Sequence, residues 1–344
     1  MRWKHRPPGS NWGDFGPDDQ RGRMNLVTRE KVLQGIAEVK EGIAFSLSLP
    51  LDYPGGNVLN PRRNPPRLAA TLRNGKQNFC FPLAEDNPDL TDVVSDDVAL
   101  LTLQYSTQWD SFAHIGSRFD ADGDGEREIV FYNGFRAGED VRPAARTGPG
   151  SWDKYEGTQA RALGIQNLAE HGAQGRGVLI DLHAHFGRAH HALTYDELMK
   201  VMEQDRVQVE QGDMVCLYTG FADVLLEMRK QPDAKLLHQT CTGLEGRDER
   251  LLQWISDCGL AVLIADNYAV EIIPVSLTKP KPHALMPLHE HCLFKNGIHL
   301  GEMWYLTELA RWLRERKRSR FLLTAPPLRL PGAVGSPATP VATV

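Results

Sequence analysis

The chain has 344 residues, 41% hydrophobic, 8% aromatic and 24% charged, enough apolar material to bury a large core without disulfide or metal staples. Its 39 Lys and Arg against 44 Asp and Glu leave a formal net charge of −5, which argues against a nucleic-acid partner or an anionic membrane surface. Five cysteines, Cys80, Cys216, Cys241, Cys258 and Cys292, form no CxxC pair and read as reduced thiols; with no leader-like or membrane-length apolar run, the expectation is a soluble cytoplasmic protein.

Residues 1–27, rich in Gly, Pro, Trp and Asp, predict an ordered N-terminal arm. Thr28 caps a helix running to Val39, with Val32, Leu33, Ile36 and Val39 on one face and Gly42 as its stop. Ile43 to Leu51 reads as a strand. Residues 52–78, rich in Pro and Asn, predict a long irregular loop of the kind that covers a site. Strands follow at Val98 to Tyr105 and around Glu128 to Tyr132. From there strands and helices alternate. Gly177 to Leu182 is an apolar strand, and Thr194 with Glu197 forms a capping box for a helix from Tyr195 to Gln204. Met214 to Tyr218 is a strand, Asp248 to Cys258 a helix, and Leu260 to Ala265 a strand. Continuous apolar strands of this kind suit a sheet covered on both faces, which gives an α/β protein.

Ala284 to Asn296 reads as a helix stopped by Gly297, and Ile298 to Met303 as the next strand. A last helix from Thr307 ends in a basic cluster (Arg311, Arg314, Arg316, Lys317, Arg318, Arg320), read as a solvated helix end whose cations suit the dipole. Residues 324–344 hold five prolines, which exclude a helix and predict an extended tail lying over the body or over a partner subunit.

Three stretches carry candidate chemistry. Asp120, Asp122 and Asp124 with Gly125 resemble the start of a calcium loop, but Phe131 stands where the bidentate acid belongs; the alternative is an acidic surface hairpin. His183 and His185 at a strand end are either local polar packing or a weak ligand pair. The third stretch, Gln104 to His114, is the most informative. Read as a strand, it puts Gln104, Gln108, Asp110 and His114 on one face. Burying those groups is expensive unless a hydrogen-bond network or a metal satisfies them.

This segment resembles the signature of the cyclase family of metal-dependent hydrolases, His-x-Gly-Thr-His-x-Asp-x-Pro-x-His, the family of bacterial kynurenine formamidases and isatin hydrolase. Thr107, Asp110 and His114 keep the family identities, whereas Gln104 and Gln108 replace two histidines and Phe112 replaces the proline. Asn11-Trp12-Gly13, Asp18-Asp19, Asn25-Leu26, Gly177 to Asp181, Gly212-Asp213, Asp266-Asn267 and Gly301-Glu302 are similar to other blocks of its longer branch. The resemblance implies a swivelling β/α/β fold with a central mixed sheet, a domain over 28–323 between an arm at 1–27 and a tail at 324–344, and assembly as a homodimer or homotetramer. It also implies a divalent ion, Mn²⁺ or Zn²⁺, held by Gln104, Gln108, Asp110, Glu302 and His289, with His291 as the rival of His289. His114 would be the acid/base, and Tyr105, Trp109 and Phe112, with the 52–78 loop, would wall the pocket of a small-molecule substrate. The function implied is hydrolysis of a cyclic amide, a lactone or a small aryl formamide; a binding protein without metal and a ring-forming cyclase are the alternatives.

Overall fold

The computed structural model describes residues 2–144, 157, 159–273 and 283–344. Nine strands form one mixed sheet: β1 (Ala44–Ser46), β2 (Gln108–Asp110), β3 (Gln174–Asp181), β4 (Met214–Tyr218), β5 (Val262–Ala265), β6 (His299–Glu302), β7 (Arg320–Thr324), β8 (Gly335–Pro337) and β9 (Val341–Thr343). Their order across the sheet is β1-β9-β7-β3-β4-β5-β6-β2-β8. The four central strands β3 to β6 run parallel, and every pairing outside them is antiparallel. β3, β4 and β5 are the apolar runs read from the sequence. They are buried almost throughout, because apolar cores pack on both faces of the sheet.

The sheet cannot be flat. β8 and β9 stand seven places apart in it, a span of roughly 34 Å at ordinary strand spacing. The chain from Pro337 to Val341 reaches at most about 14 Å. The sheet therefore curls until its edges approach. Hydrogen bonds across the gap show the same closure: Leu47 N–H donates to Pro340 O, Ala338 N–H to Thr107 O, and Tyr305 N–H to Leu47 O.

Four helices follow the sequence signals. They are α1 (Arg29–Ala37), α2 (Tyr195–Gln204), α3 (Glu249–Asp257) and α4 (Thr307–Arg316). Thr28 caps α1, the Thr194–Glu197 box caps α2, and the Asp248 carboxylate caps α3. The buried face of α1 is not the apolar one read from the sequence. Leu33 and Ile36 are about half exposed, whereas Lys31 and Gly35 are buried. A Cβ on Gly35 would lie 2.8 Å from Gly175 O, so only glycine lets α1 approach β3 this closely. Lys31 reaches Asp213 at 3.1 Å, which Arg176 also holds in a fork at 2.8 and 2.9 Å. Close backbone approach and this buried ion cluster decide the orientation of the helix.

Other expectations change with tertiary context. The run Val98–Tyr105 does not join the sheet: Asp97–Leu100 pairs with Arg67–Ala70 in a separate two-stranded sheet, and residues 101–107 are turns and bends before β2. The helix expected from Ala284 starts at Pro287, the residue before a proline being poorly suited to helix, and continues as a π-turn over Glu290–Lys295. His183 and His185 lie on a short helix, Leu182–Phe186, where His185 meets Asp205 at 2.9 Å and His183 packs against Tyr218. The basic cluster at the end of α4 is largely paired: Arg314 with Asp181, Arg316 with Glu41, and Arg320 with Glu210.

Both termini are part of the body. Trp3 and Trp12 are buried, and Trp12 packs edge-on against Phe294 and donates to its carbonyl. Residues 324–344 are extended, as their prolines require, but they supply β8 and β9 to the sheet in place of the expected covering tail. Among the described residues no helix is long and apolar enough to cross a membrane.

Candidate metal centre

β2 and β6 pair antiparallel with Gln108 opposite Glu302 and Leu300 opposite Asp110. That register brings three polar side chains from distant sequence to one buried spot. The Gln108 amide N–H donates to Glu302 Oε2 at 2.9 Å. Asp110 has no exposed surface, and neither of its carboxylate oxygens has a hydrogen-bond partner. Its nearest cation-forming neighbour is His114, with Nε2 3.9 Å away. Burial raises the Asp110 pKa, partly opposed by His114 and reinforced by Glu302. A buried, unpartnered carboxylate is costly unless a cation meets it.

His289, at the end of the short helix Pro287–His289, completes the group. Its Nε2 lies 3.1 Å from Glu302 Oε1, and its Nδ1 lies 2.8 Å from Glu271 Oε1. Glu271 also accepts the backbone N–H groups of Leu288 and His289. Burial disfavours the imidazolium, but the hydrogen bonds and charges of Glu271 and Glu302 outweigh it and push the pKa up to about 10. One ligand atom from each of Asp110, His289 and Glu302 lies within 4.8 Å of the others. Two carboxylates and an imidazole, beside a buried unpartnered Gln108 Oε1, form a donor set that fits a divalent metal ion. Glu271 is placed to hold the far nitrogen of the histidine, as acceptors behind metal-ligating histidines do.

A cavity of about 250 Å³ opens above the group, with His114, His289 and Glu302 on its floor and Tyr105 and Tyr268 in its walls. Residues Pro54 to Arg63 of the 52–78 loop form much of the rim. Tyr105 ties that loop down: its hydroxyl donates to Gly56 O at 2.7 Å and accepts from Gly55 N–H at 3.0 Å.

Three expected site residues lie elsewhere. Trp109, between Gln108 and Asp110 on β2, points to the opposite face, where it is fully buried 5.1 Å from Trp304 and donates to Ala325 O. Strand alternation itself requires this placement. Phe112 is fully buried and stacks on His299 at 4.0 Å. Gln104 lies in the turn before β2, its amide against Gly335 and away from the cavity lining. Gln104, Gln108, Asp110 and His114 therefore do not share a strand face, because only Gln108 to Asp110 is strand. His291 is buried and bonded to Ser256 at 2.9 Å, outside the group. Glu271 and Tyr268 were not legible: nothing in their spacing marks them, and only a ligand histidine's need for an acceptor hints at a carboxylate such as Glu271. The loop Asp120–Asp124 joins a hairpin of Ser117–Phe119 and Glu128–Val130; its three aspartates also cluster, and Arg136 pairs with Asp122.

The Cyclase family model matches residues 46–272. The chain belongs to the cyclase family. The match includes Gln104 to His114 and Glu271 and ends before His289 and Glu302. A solved structure described as a novel cyclase is 29% identical, covers 97% of this chain and 99% of its own, and superposes with a TM-score of 0.73. Isatin hydrolase A from Ralstonia solanacearum is 15% identical, with 92% of this chain and 97% of its own covered and a TM-score of 0.53. Isatin hydrolase A from Labrenzia aggregata is 12% identical, with coverages of 91% and 97% and a TM-score of 0.52. At these identities the two hydrolases establish the shared fold. No curated protein matches the sequence of this cyclase-family chain.

Proposed function

We propose that this cyclase-family chain is a metal-dependent hydrolase that opens a small cyclic amide or lactone, or cleaves a small aryl formamide. The observation that carries the reading is Asp110, fully buried with both carboxylate oxygens unpartnered, within 4.8 Å of ligand atoms from His289 and Glu302 beneath a cavity. Asp110, His289 and Glu302, with the Gln108 carbonyl, would hold Mn²⁺ or Zn²⁺. Such an ion supplies a lowered water pKa and polarisation of the scissile carbonyl.

The remaining work falls to side chains. His114, at the floor of the cavity and 3.9 Å from Asp110, accepts the proton of the attacking water and returns it to the departing nitrogen or oxygen. Gln108 holds Glu302 in place through its amide N–H, and Glu271 fixes the His289 ring. Tyr105 keeps the loop over the cavity and limits the entry of bulk water. The fold shared with isatin hydrolases supports a compact cyclic substrate, as does the cavity volume of about 250 Å³.

Dialysis against chelator followed by reconstitution with one metal at a time tests the reading on a panel of cyclic amides, lactones and aryl formamides. Turnover is expected only in metal-loaded protein. Turnover indifferent to metal would overturn it.

A further inference from the structure

The cavity lining also carries two arginines that the hydrolytic machinery does not use. Arg62 and Arg63 line it from the loop above, placed by a turn in which Asn60 accepts the backbone N–H of both. Arg63 is half-buried and Arg62 exposed. Among the described residues neither guanidinium has a hydrogen-bond or ion-pair partner, although Glu302 lines the same cavity. Other arginines of this chain are ion-paired, among them Arg73 with Asp86, Arg136 with Glu128, Arg176 with Asp213, Arg188 with Glu227 and Arg250 with Asp196.

Arg63 acts on Asp110 through its charge, but without a direct acceptor the hydrogen-bond donors of its guanidinium stay unused. Its planar fork matches the bidentate geometry of a carboxylate or a phosphate, and in a cavity of this size beside an acidic floor the carboxylate is the smaller and less charged of the two. The rest of the lining mixes Leu59, Ile273 and Met286 with Tyr105, His238 and Tyr268. A volume of about 250 Å³ leaves room for one small ring system, so a single compact molecule would meet both the arginines and the acidic floor.

Building on the hydrolase reading, we propose that the natural substrate carries a carboxylate separate from the carbonyl that is attacked, and that Arg63, with Arg62 at the rim, receives it. The carbonyl faces Asp110, His289 and Glu302 while the carboxylate faces the loop. Orientation is thereby fixed from both ends, and neutral analogues are disfavoured.

The test uses Mn²⁺-loaded full-length protein and three kinds of probe: isatin as a neutral cyclic amide, its ring-carboxylate isomers, and isatinate, whose carboxylate is the reacting carbon itself. Dissociation constants come from calorimetry, and ring opening is followed separately. At least one ring-carboxylate is expected to bind about tenfold or more tightly than isatin. Arg63→Met removes that preference while leaving isatin binding within about twofold, and Arg63→Lys restores part of it. Higher ionic strength weakens the ring-carboxylate and not isatin.

The proposal is overturned if no ring-carboxylate is preferred, if only isatinate gains from Arg63, or if Arg63→Met weakens isatin and its carboxylates alike. The last result would make Arg63 a counter-charge to the acidic floor. Failure of the hydrolase reading looks different: no metal-dependent ring opening of any probe, with the Arg63-dependent preference intact.

Discussion

Asp110 carries a carboxylate with no donor on a strand with no exposed residue. Asp110→Asn removes the charge and keeps the shape. In metal-free protein the variant is expected to be as stable as the parent or more stable by up to about 2 kcal/mol in urea unfolding, because the desolvation cost of the charge is gone. In the same variant metal binding and turnover should fall by about 100-fold or more. Glu271→Gln keeps the fold but loosens His289, and calorimetry should show metal affinity lowered by about 10- to 100-fold. The pH dependence has a definite sign. His289 has a folded pKa of about 10, above its ordinary value. Its stabilisation of metal-free protein is therefore fully present below about pH 6.5 and is lost as pH rises through 10. Asp110, also raised, acts in the same direction, since ionising it costs more in the folded state. Metal-free protein should be less stable at pH 9.5 than at pH 6.5. Metal, which competes with the His289 proton, should bind more tightly as pH rises over that range. A flat urea midpoint across it would show that His289 is not protonated between its two carboxylates.

At the scale of elements, β2 carries two different kinds of residue on its two faces. Gln108 and Asp110 face the site, whereas Trp109 faces the core against Trp304. Trp109→Phe is therefore expected to cost about 1–3 kcal/mol in urea unfolding, with KM for any substrate changed less than about twofold. A large KM change with unchanged stability would put Trp109 back in the pocket wall. β2 is itself held between β6 and β8, with Gly335 opposite Asp110 and Pro337 opposite Gln108. Truncation before Gly335 leaves the site strand with a free edge and takes β9 from between β1 and β7. The truncated protein is expected to lose cooperative unfolding and to aggregate, which a covering tail would not cause.

At the scale of the whole molecule, the site joins strands from residues 108–110 and 299–302 with a helix end at 289 and a carboxylate at 271. Any ion held there ties together segments about 190 residues apart, so it should act as a clamp on global unfolding. At metal concentrations about 100 times the dissociation constant, mass action gives about 2.7 kcal/mol, which for a chain of this size should appear as a rise in Tm of a few degrees. The rise should be absent in Asp110→Asn. Curling of the sheet is equally a property of the whole chain: β8 and β9 lie three residues apart in sequence and on opposite sides of the sheet order.

What the sequence determined by itself was whatever depends on neighbours along the chain. The apolar runs of β3, β4 and β5, the Thr28, Thr194 and Asp248 caps and the extended state of the proline-rich tail follow from local composition and spacing, and the family was legible through the resemblance of the 104–114 segment to its signature. Gln108, Asp110, His289 and Glu302 were legible through that resemblance, whereas their convergence is set by the register of β2 on β6. Tertiary structure alone decided where local rules are silent or outvoted. Gly35 and the Lys31–Asp213 contact turned α1 away from its apolar face, and a short turn in place of a longer strand took Gln104 out of the site. The opposite faces of Gln108 and Trp109, by contrast, follow from the local alternation of a pleated strand. Glu271, Arg62 and Arg63 acquire meaning only from what stands across the cavity or behind a histidine, and no spacing in the sequence encodes those distances.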